Sequence, residues 1–136
     1  MAQVIPVDLP DLGQPFSWAT RAAGMTFTAQ GPVRGDGTIE TGSIEAQARL
    51  TFENLRRTLA AGGLRLHDVA QVLIYLTQDE DMREVDRVYR TFFDAPYPNR
   101  STVVVKALVV PGMRIEIVAY AAACDAPARA TANSPI

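Results

Sequence analysis

VYRTFFDAPYPNRSTVVVKALVVPGMRIEIVAYA, Val88 to Ala121, is the stretch whose reading decides the fold. It passes from helical spacing to strand spacing within a few residues. Met82, Val85, Val88, Tyr89 and Phe92 recur at three- and four-residue intervals, which predicts a helix over Asp79–Phe93. Its acidic opening, Asp79-Glu80-Asp81, suits the positive end of a helix dipole. Ala95-Pro96-Tyr97-Pro98-Asn99 then predicts a stiff loop, because proline lacks an amide hydrogen and holds the residue before it in extended backbone. Thr102 to Val110 is valine-rich and predicts a strand, Pro111-Gly112 a turn, and Arg114 to Ala123 a last strand.

Upstream the same alternation of periods continues. Gln3 to Pro6 reads as a short first strand, and Asp8 to Pro15 as a loop. Ser17–Ala22 and Met25–Ala29 predict two strands joined at Ala23-Gly24. Gly31 to Gly42, with four glycines and the Asp36-Gly37 pair, reads as a long turn region with its own hairpin signal. Ile44, Ala48, Phe52, Leu55 and Leu59 then mark one face of a helix, capped by Ser43 and stopped at Gly62-Gly63. Arg49, Glu53, Arg56 and Arg57 fall on its solvated face, and Val69–Thr77 predicts a strand.

The order β-β-β-α-β-α-β-β defines an α+β fold: a mixed, mainly antiparallel sheet with two helices on one face. Two amphipathic helices cover one side only. Val103, Val105, Ile115, Ile117 and their neighbours are then expected on the uncovered side, which predicts self-association through sheet faces.

Composition narrows the function. At 136 residues the chain fits one domain, read as 1–124 with a polar, frayed tail over 125–136. Thirteen Lys and Arg against fifteen Asp and Glu give a net charge of −2, so nucleic acid is not an expected partner. The apolar runs fall well short of the roughly 20 residues a membrane helix needs, and residues 1–10 lack a signal-peptide pattern, which predicts a cytoplasmic protein. The one cysteine, Cys124, and the one histidine, His67, leave neither a disulfide nor a zinc site of the common types. Cys124 reads as buried filler and His67 as an exposed or edge residue. There is no G-x-S-x-G and no phosphate-binding glycine pattern.

Two residues stand out as carriers of chemistry. Arg100 follows the proline loop at the opening of an apolar strand, and its planar fork matches a carboxylate bidentately. A salt bridge to a nearby acid is the competing reading. Glu116 alternates with Ile115 and Ile117, so it faces away from them. It is either an outward strand carboxylate or one that holds a water beside a ligand.

The stretch from Val88 to Ala121 resembles the RidA/YjgF family of reactive-intermediate deaminases. It has the Tyr-x-x-Phe-Phe helix end of Tyr89 to Phe93, the Pro-x-Arg of Pro98 to Arg100, and the glutamate-bearing last strand. Ala46-Gln47-Ala48-Arg49, Glu53-Asn54-Leu55 and Gly62-Gly63-Leu64 extend the resemblance, which spans Gly13 to Ala122. It implies a homotrimer with a central barrel-like core, ligand clefts at the subunit interfaces, and neither metal nor organic cofactor. It also implies hydrolysis of small anionic enamines or imines, such as 2-aminoacrylate and its imine tautomer, to 2-keto acids and ammonia. Arg100 would bind the substrate carboxylate and Glu116 would hold the attacking water.

The chain departs from the family pattern in part of that site. Gln14-Pro15-Phe16 stands for Gly-Pro-Tyr, and Ala29-Gln30 for a serine-glycine pair. Asp86 replaces a frequent asparagine, and Thr102 occupies a position where cysteine occurs. Phe16, Ala29, Gln30, Asp86 and Thr102 are therefore expected to contact substrate beside Arg100. They predict a larger or differently polar substrate than 2-iminopropanoate, such as an enamine from the breakdown of aromatic compounds. The alternatives are a non-catalytic trimer that binds 2-keto acids and, with less support, an endoribonuclease.

Overall fold

The computed structural model describes residues 1–123, so the tail read at 125–136 and Cys124 lie outside the described residues. Six strands form one sheet: β1 (Gln3–Val4), β2 (Ala19–Ala22), β3 (Met25–Gln30), β4 (Val69–Leu76), β5 (Asn99–Val104) and β6 (Ile115–Ala121). Their spatial order is β1-β2-β3-β6-β4-β5. All neighbours are antiparallel except β4 and β5, which run parallel and are joined through the second helix. The expected mixed sheet, with α1 (Ile44–Ala61) and α2 (Met82–Phe92) packed on it, is what the chain forms.

Local chemistry explains the joints. Ala23 and Gly24 both have positive φ, 52° and 78°, the pair of left-handed residues that a tight hairpin turn requires. Ser43 caps α1 by accepting a hydrogen bond from the Ala46 amide at 3.1 Å. Gly62 and Gly63 close its last turn through amides donated to Leu59 and Ala60.

Beneath the helices, Phe52, Leu55, Leu59, Val72, Ile74, Leu76, Ile115 and Ile117 are fully buried. Phe52 contacts the rings of both Tyr89 and Phe93, and so locks α1 to α2. A second buried stripe of α1 is polar: Gln47, Thr51, Asn54 and Thr58. Gln47 donates to the Gly112 carbonyl and accepts from the Arg114 amide, while Asn54 donates to the Gly31 and Val33 carbonyls. This stripe pins the long turn after β3 and the turn before β6.

Three expectations are corrected. β5 covers Asn99–Val104, not Thr102–Val110, because parallel pairing sets it against Gln71–Leu76 of β4. Where β4 ends, the remaining valines have no ladder to join, and the Val105 amide makes the last bond, to Leu76. Ile115 and Ile117 lie under the helices rather than on the open face, where Glu116, Val118 and Tyr120 of β6 stand instead. The α-helix starts at Met82 rather than Asp79: Asp79–Asp81 form a 3-10 turn, and Asp81, at the N-cap position, makes no side-chain capping hydrogen bond. It is buried in a two-bond ion pair with Arg114, at 3.0 and 2.5 Å.

Candidate functional site

Arg100 sits within β5 rather than in the loop, paired in register with Val72. Paired residues of adjacent strands face the same way. Val72 is buried under the helices, so Arg100 also projects to the helix side, and β5 is the sheet edge, so its guanidinium reaches solvent. There Nη2 lies 2.7 Å from Asp86 Oδ1, with the two side chains 24% and 32% exposed. Its carbon centre lies 4.8 Å from the centroid of the Tyr89 ring. Asp86 and Tyr89 are three residues apart on α2 and therefore share a helix face.

These groups line a cavity of about 210 Å³ with Arg90, Tyr97 and Pro98. That volume suits a metabolite smaller than a typical drug-sized ligand. Burial pushes the Tyr89 phenol above its ordinary pKa, against the lowering effect of the Arg100 charge. The Tyr89 hydroxyl and, two residues beyond Arg100, the Thr102 hydroxyl are buried without a hydrogen-bond partner.

The other expected site residues are not gathered here. Glu116 pairs with Tyr75 on the open face of the sheet, opposite to the side on which Arg100 projects. Burial alone raises its carboxyl above the ordinary value. Ala29 is exposed on that same open face, in register with Val118. Gln30 turns inward: its amide nitrogen donates to Thr28 and Thr58 at 2.9 Å each, so its side chain faces the helix rather than a ligand. Phe16 is half-exposed before β2, edge-on to Trp18 at 5.2 Å. β2 and β5 are four strand spacings apart, roughly 19 Å at about 4.8 Å each. One chain thus unites Arg100 with Asp86, leaves Thr102 two residues along β5 and outside the cavity lining, and keeps Glu116, Ala29 and Phe16 apart from them.

Tyr89, Tyr97 and Arg90 line the cavity although none of them is among the site residues expected from the sequence. Tyr89 fits the apolar stripe of α2, and only its three-residue offset from Asp86 marks it as a neighbour of an ion pair. Among the described residues no cluster of three or more His, Cys, Asp or Glu could hold a metal ion. None of the described helices is long and apolar enough to cross a membrane.

Comparison with known proteins places this geometry in a family. Residues 8–123 match the family model described as Endoribonuclease L-PSP. The chain is 32% identical over 122 residues to the mitochondrial protein mmf2 of Schizosaccharomyces pombe, covering 87% of this chain and 97% of that protein. It is 37% identical over 89 residues to a protein of Escherichia coli K12 named "Putative reactive intermediate deaminase TdcF", covering 60% and 68% of the two chains. The crystal structure of E. coli TdcF with bound serine superposes with a TM-score of 0.82 at 31% identity, over 90% of this chain and 99% of the other. By the match over residues 8–123, this chain belongs to the Endoribonuclease L-PSP family, also called the YjgF/RidA family.

Proposed function

We propose that this protein hydrolyses small carboxylate-bearing enamines and imines to 2-keto acids and ammonia. The observation that carries the reading is Arg100, held over Tyr89 at the wall of a metabolite-sized cavity with part of its guanidinium open. A guanidinium binds a carboxylate through two parallel hydrogen bonds, which fixes the C=N carbon relative to its surroundings. Water oxygen then bonds to that carbon while the nitrogen takes up a proton. Proton transfer from the new hydroxyl and cleavage of the C–N bond release ammonia and leave the carbonyl. The reaction needs orientation and charge stabilisation more than a strong acid or base. Glu116 would accept a hydrogen bond from the attacking water, its basicity raised by burial.

In one chain Arg100 and Glu116 occupy opposite sheet faces, so the reading requires more than one copy around each site. A homotrimer with sheet faces turned to a central barrel-like core is part of the proposal. Its support is the open face, where Phe27 and Tyr120 pack edge to face at 5.6 Å and Val103 is 45% exposed. Phe16, Ala29 and the main chain at Gln30 would reach the ligand from a neighbouring copy. The altered side chains support a substrate bulkier or differently polar than 2-iminopropanoate. A cytoplasmic location belongs to the same proposal, and imaging of a tagged chain tests it against the mitochondrial placement in the name of mmf2.

The separation of Arg100 from Glu116 also favours a second reading, an oligomer that binds 2-keto acids without turning over imines. One assay decides. An amino-acid oxidase generates imines in situ, and semicarbazide traps those that escape hydrolysis. Wild-type protein should depress the semicarbazone signal. Arg100→Ala should lower kcat/KM roughly 10- to 100-fold, the equivalent of a charged hydrogen-bonded contact. Wild-type protein that behaves as buffer does would leave only the binding reading.

A further inference from the structure

We propose that Asp86 sets the specificity of the Arg100 cavity: it selects ligands that present N–H groups beside their carboxylate and rejects the corresponding 2-keto acids. The inference rests on the reading of Arg100 as a carboxylate anchor and extends it to the atom next to the carboxylate. Asp86 Oδ1 already takes one edge of the guanidinium, at 2.7 Å from Nη2. A ligand carboxylate must use the remaining donors of Arg100, and Arg90 supplies a second guanidinium at the cavity wall. Because Asp86 Oδ1 lies against that guanidinium and lines the same cavity, a carboxylate held by Arg100 would have its C2 substituent within reach of Asp86.

An ionised carboxylate only accepts hydrogen bonds. Asp86 therefore favours a C2 substituent that donates: an ammonium, an iminium or an amino group. A keto oxygen has only lone pairs to offer, and facing Asp86 it would meet acceptor against acceptor. Arg90, Arg100, Tyr89 and Tyr97 carry donors that either ligand can use through its carboxylate, so among the lining residues Asp86, the one carboxylate, is the group that tells the two apart. Hydrolysis replaces the donor nitrogen by an acceptor oxygen on the same carbon, C2. The residue that retains the nitrogen-bearing substrate would thus also promote departure of the keto-acid product.

Asp86→Asn tests this, because the amide has the same shape and adds two donors. Binding of two matched pairs, alanine with pyruvate and phenylalanine with phenylpyruvate, is measured by calorimetry or by ligand-observed NMR. Neither requires turnover, so the outcome is independent of the imine assay. The wild-type protein should prefer the amino acid of each pair. Asp86→Asn should weaken the amino acid and tighten the keto acid, moving the ratio by roughly tenfold or more, the worth of one charge-assisted hydrogen bond. An unchanged urea midpoint would show that the fold is intact. A ratio that does not move, or binding of neither member by either protein, overturns the proposal. Loss of the imine-hydrolysing activity in wild type together with a reversed ratio would sink the deaminase reading and leave Asp86 as the selector.

Discussion

Along β6, Ile115, Ile117, Ala119 and Ala121 are buried beneath the helices, whereas Glu116, Val118 and Tyr120, one residue out of step, are only partly buried on the opposite face. The same division runs through β3, where Thr26, Thr28 and Gln30 are buried while Phe27 and Ala29 are exposed. The covered face is complete within one chain. Its apolar side chains touch one another, and most of its buried polar groups are matched: Asn54 with two carbonyls, Gln47 with a carbonyl and an amide. The open face carries the Phe27–Tyr120 ring pair and, in register with Tyr75, the Glu116 carboxylate, whose partial burial is unfavourable to its charge. A period of two thus gives one strand two faces, one closed by the chain's own helices and one left open.

The largest effect should come from the covered face. Phe52 is fully buried and bridges α1 to Tyr89 and Phe93. Phe52→Ala should cost about 3–5 kcal/mol in urea unfolding, since it removes a large apolar group and leaves a cavity. A loss below about 1 kcal/mol would mean that the helices are not fastened through this ring.

A charge on the open face should act on assembly instead. Val103 is 45% exposed in the single chain and pairs in register with Tyr75. Val103→Asp should convert the proposed trimer to monomer in sedimentation velocity at micromolar concentration. Stability of the separated chain should change by less than about 1 kcal/mol, as is usual for an exposed position. Unchanged sedimentation would place the subunit contact elsewhere.

The helices, the hairpin and the sheet composition were legible because each rests on a local rule: spacing, a capping serine, paired positive-φ residues. The end of β5 was not, because a strand stops where its partner does, and β4 runs out at Leu76 whatever the valine content beyond. The burial of Ile115 and Ile117 beneath the helices is not legible for a related reason: alternation separates the two faces of a strand but does not say which one the helices cover. The polar stripe of α1 was missed because Gln47, Thr51, Asn54 and Thr58 look solvated, and only their four- and three-residue spacing beside Ala48 and Leu55 hints at burial. At the site, Arg100 and Asp86 were both named, yet their pairing depends on the parallel register of β5 against β4 and the position of α2 over it. Gln30 reads as a ligand contact from its place in the pattern. Register turns its side chain inward, where Thr58 accepts from its amide.

The smallest effect should come from Glu116, where the two faces differ by a single proton. Its carboxyl has a reference value of 4.5, and burial raises it in the folded chain. Between the two values the folded state binds more protons than the unfolded state, so stability falls as pH rises. The contribution is complete below the unfolded value and is lost as pH passes through the folded one. Glu116→Gln keeps the shape and cannot titrate. Wild type should therefore lose stability relative to the variant as pH rises above the unfolded value of 4.5, and the difference should level off once pH has passed the raised folded value. The slope should be shallow in the separated chain, because water still screens a half-exposed carboxylate. It should change at protein concentrations that favour assembly if a second copy meets Glu116: further burial steepens it, and a neighbouring Arg100 guanidinium brought close flattens it. Equal slopes at low and high concentration would put Glu116 outside the subunit contact and remove it from a shared site with the Arg100 of a neighbouring copy.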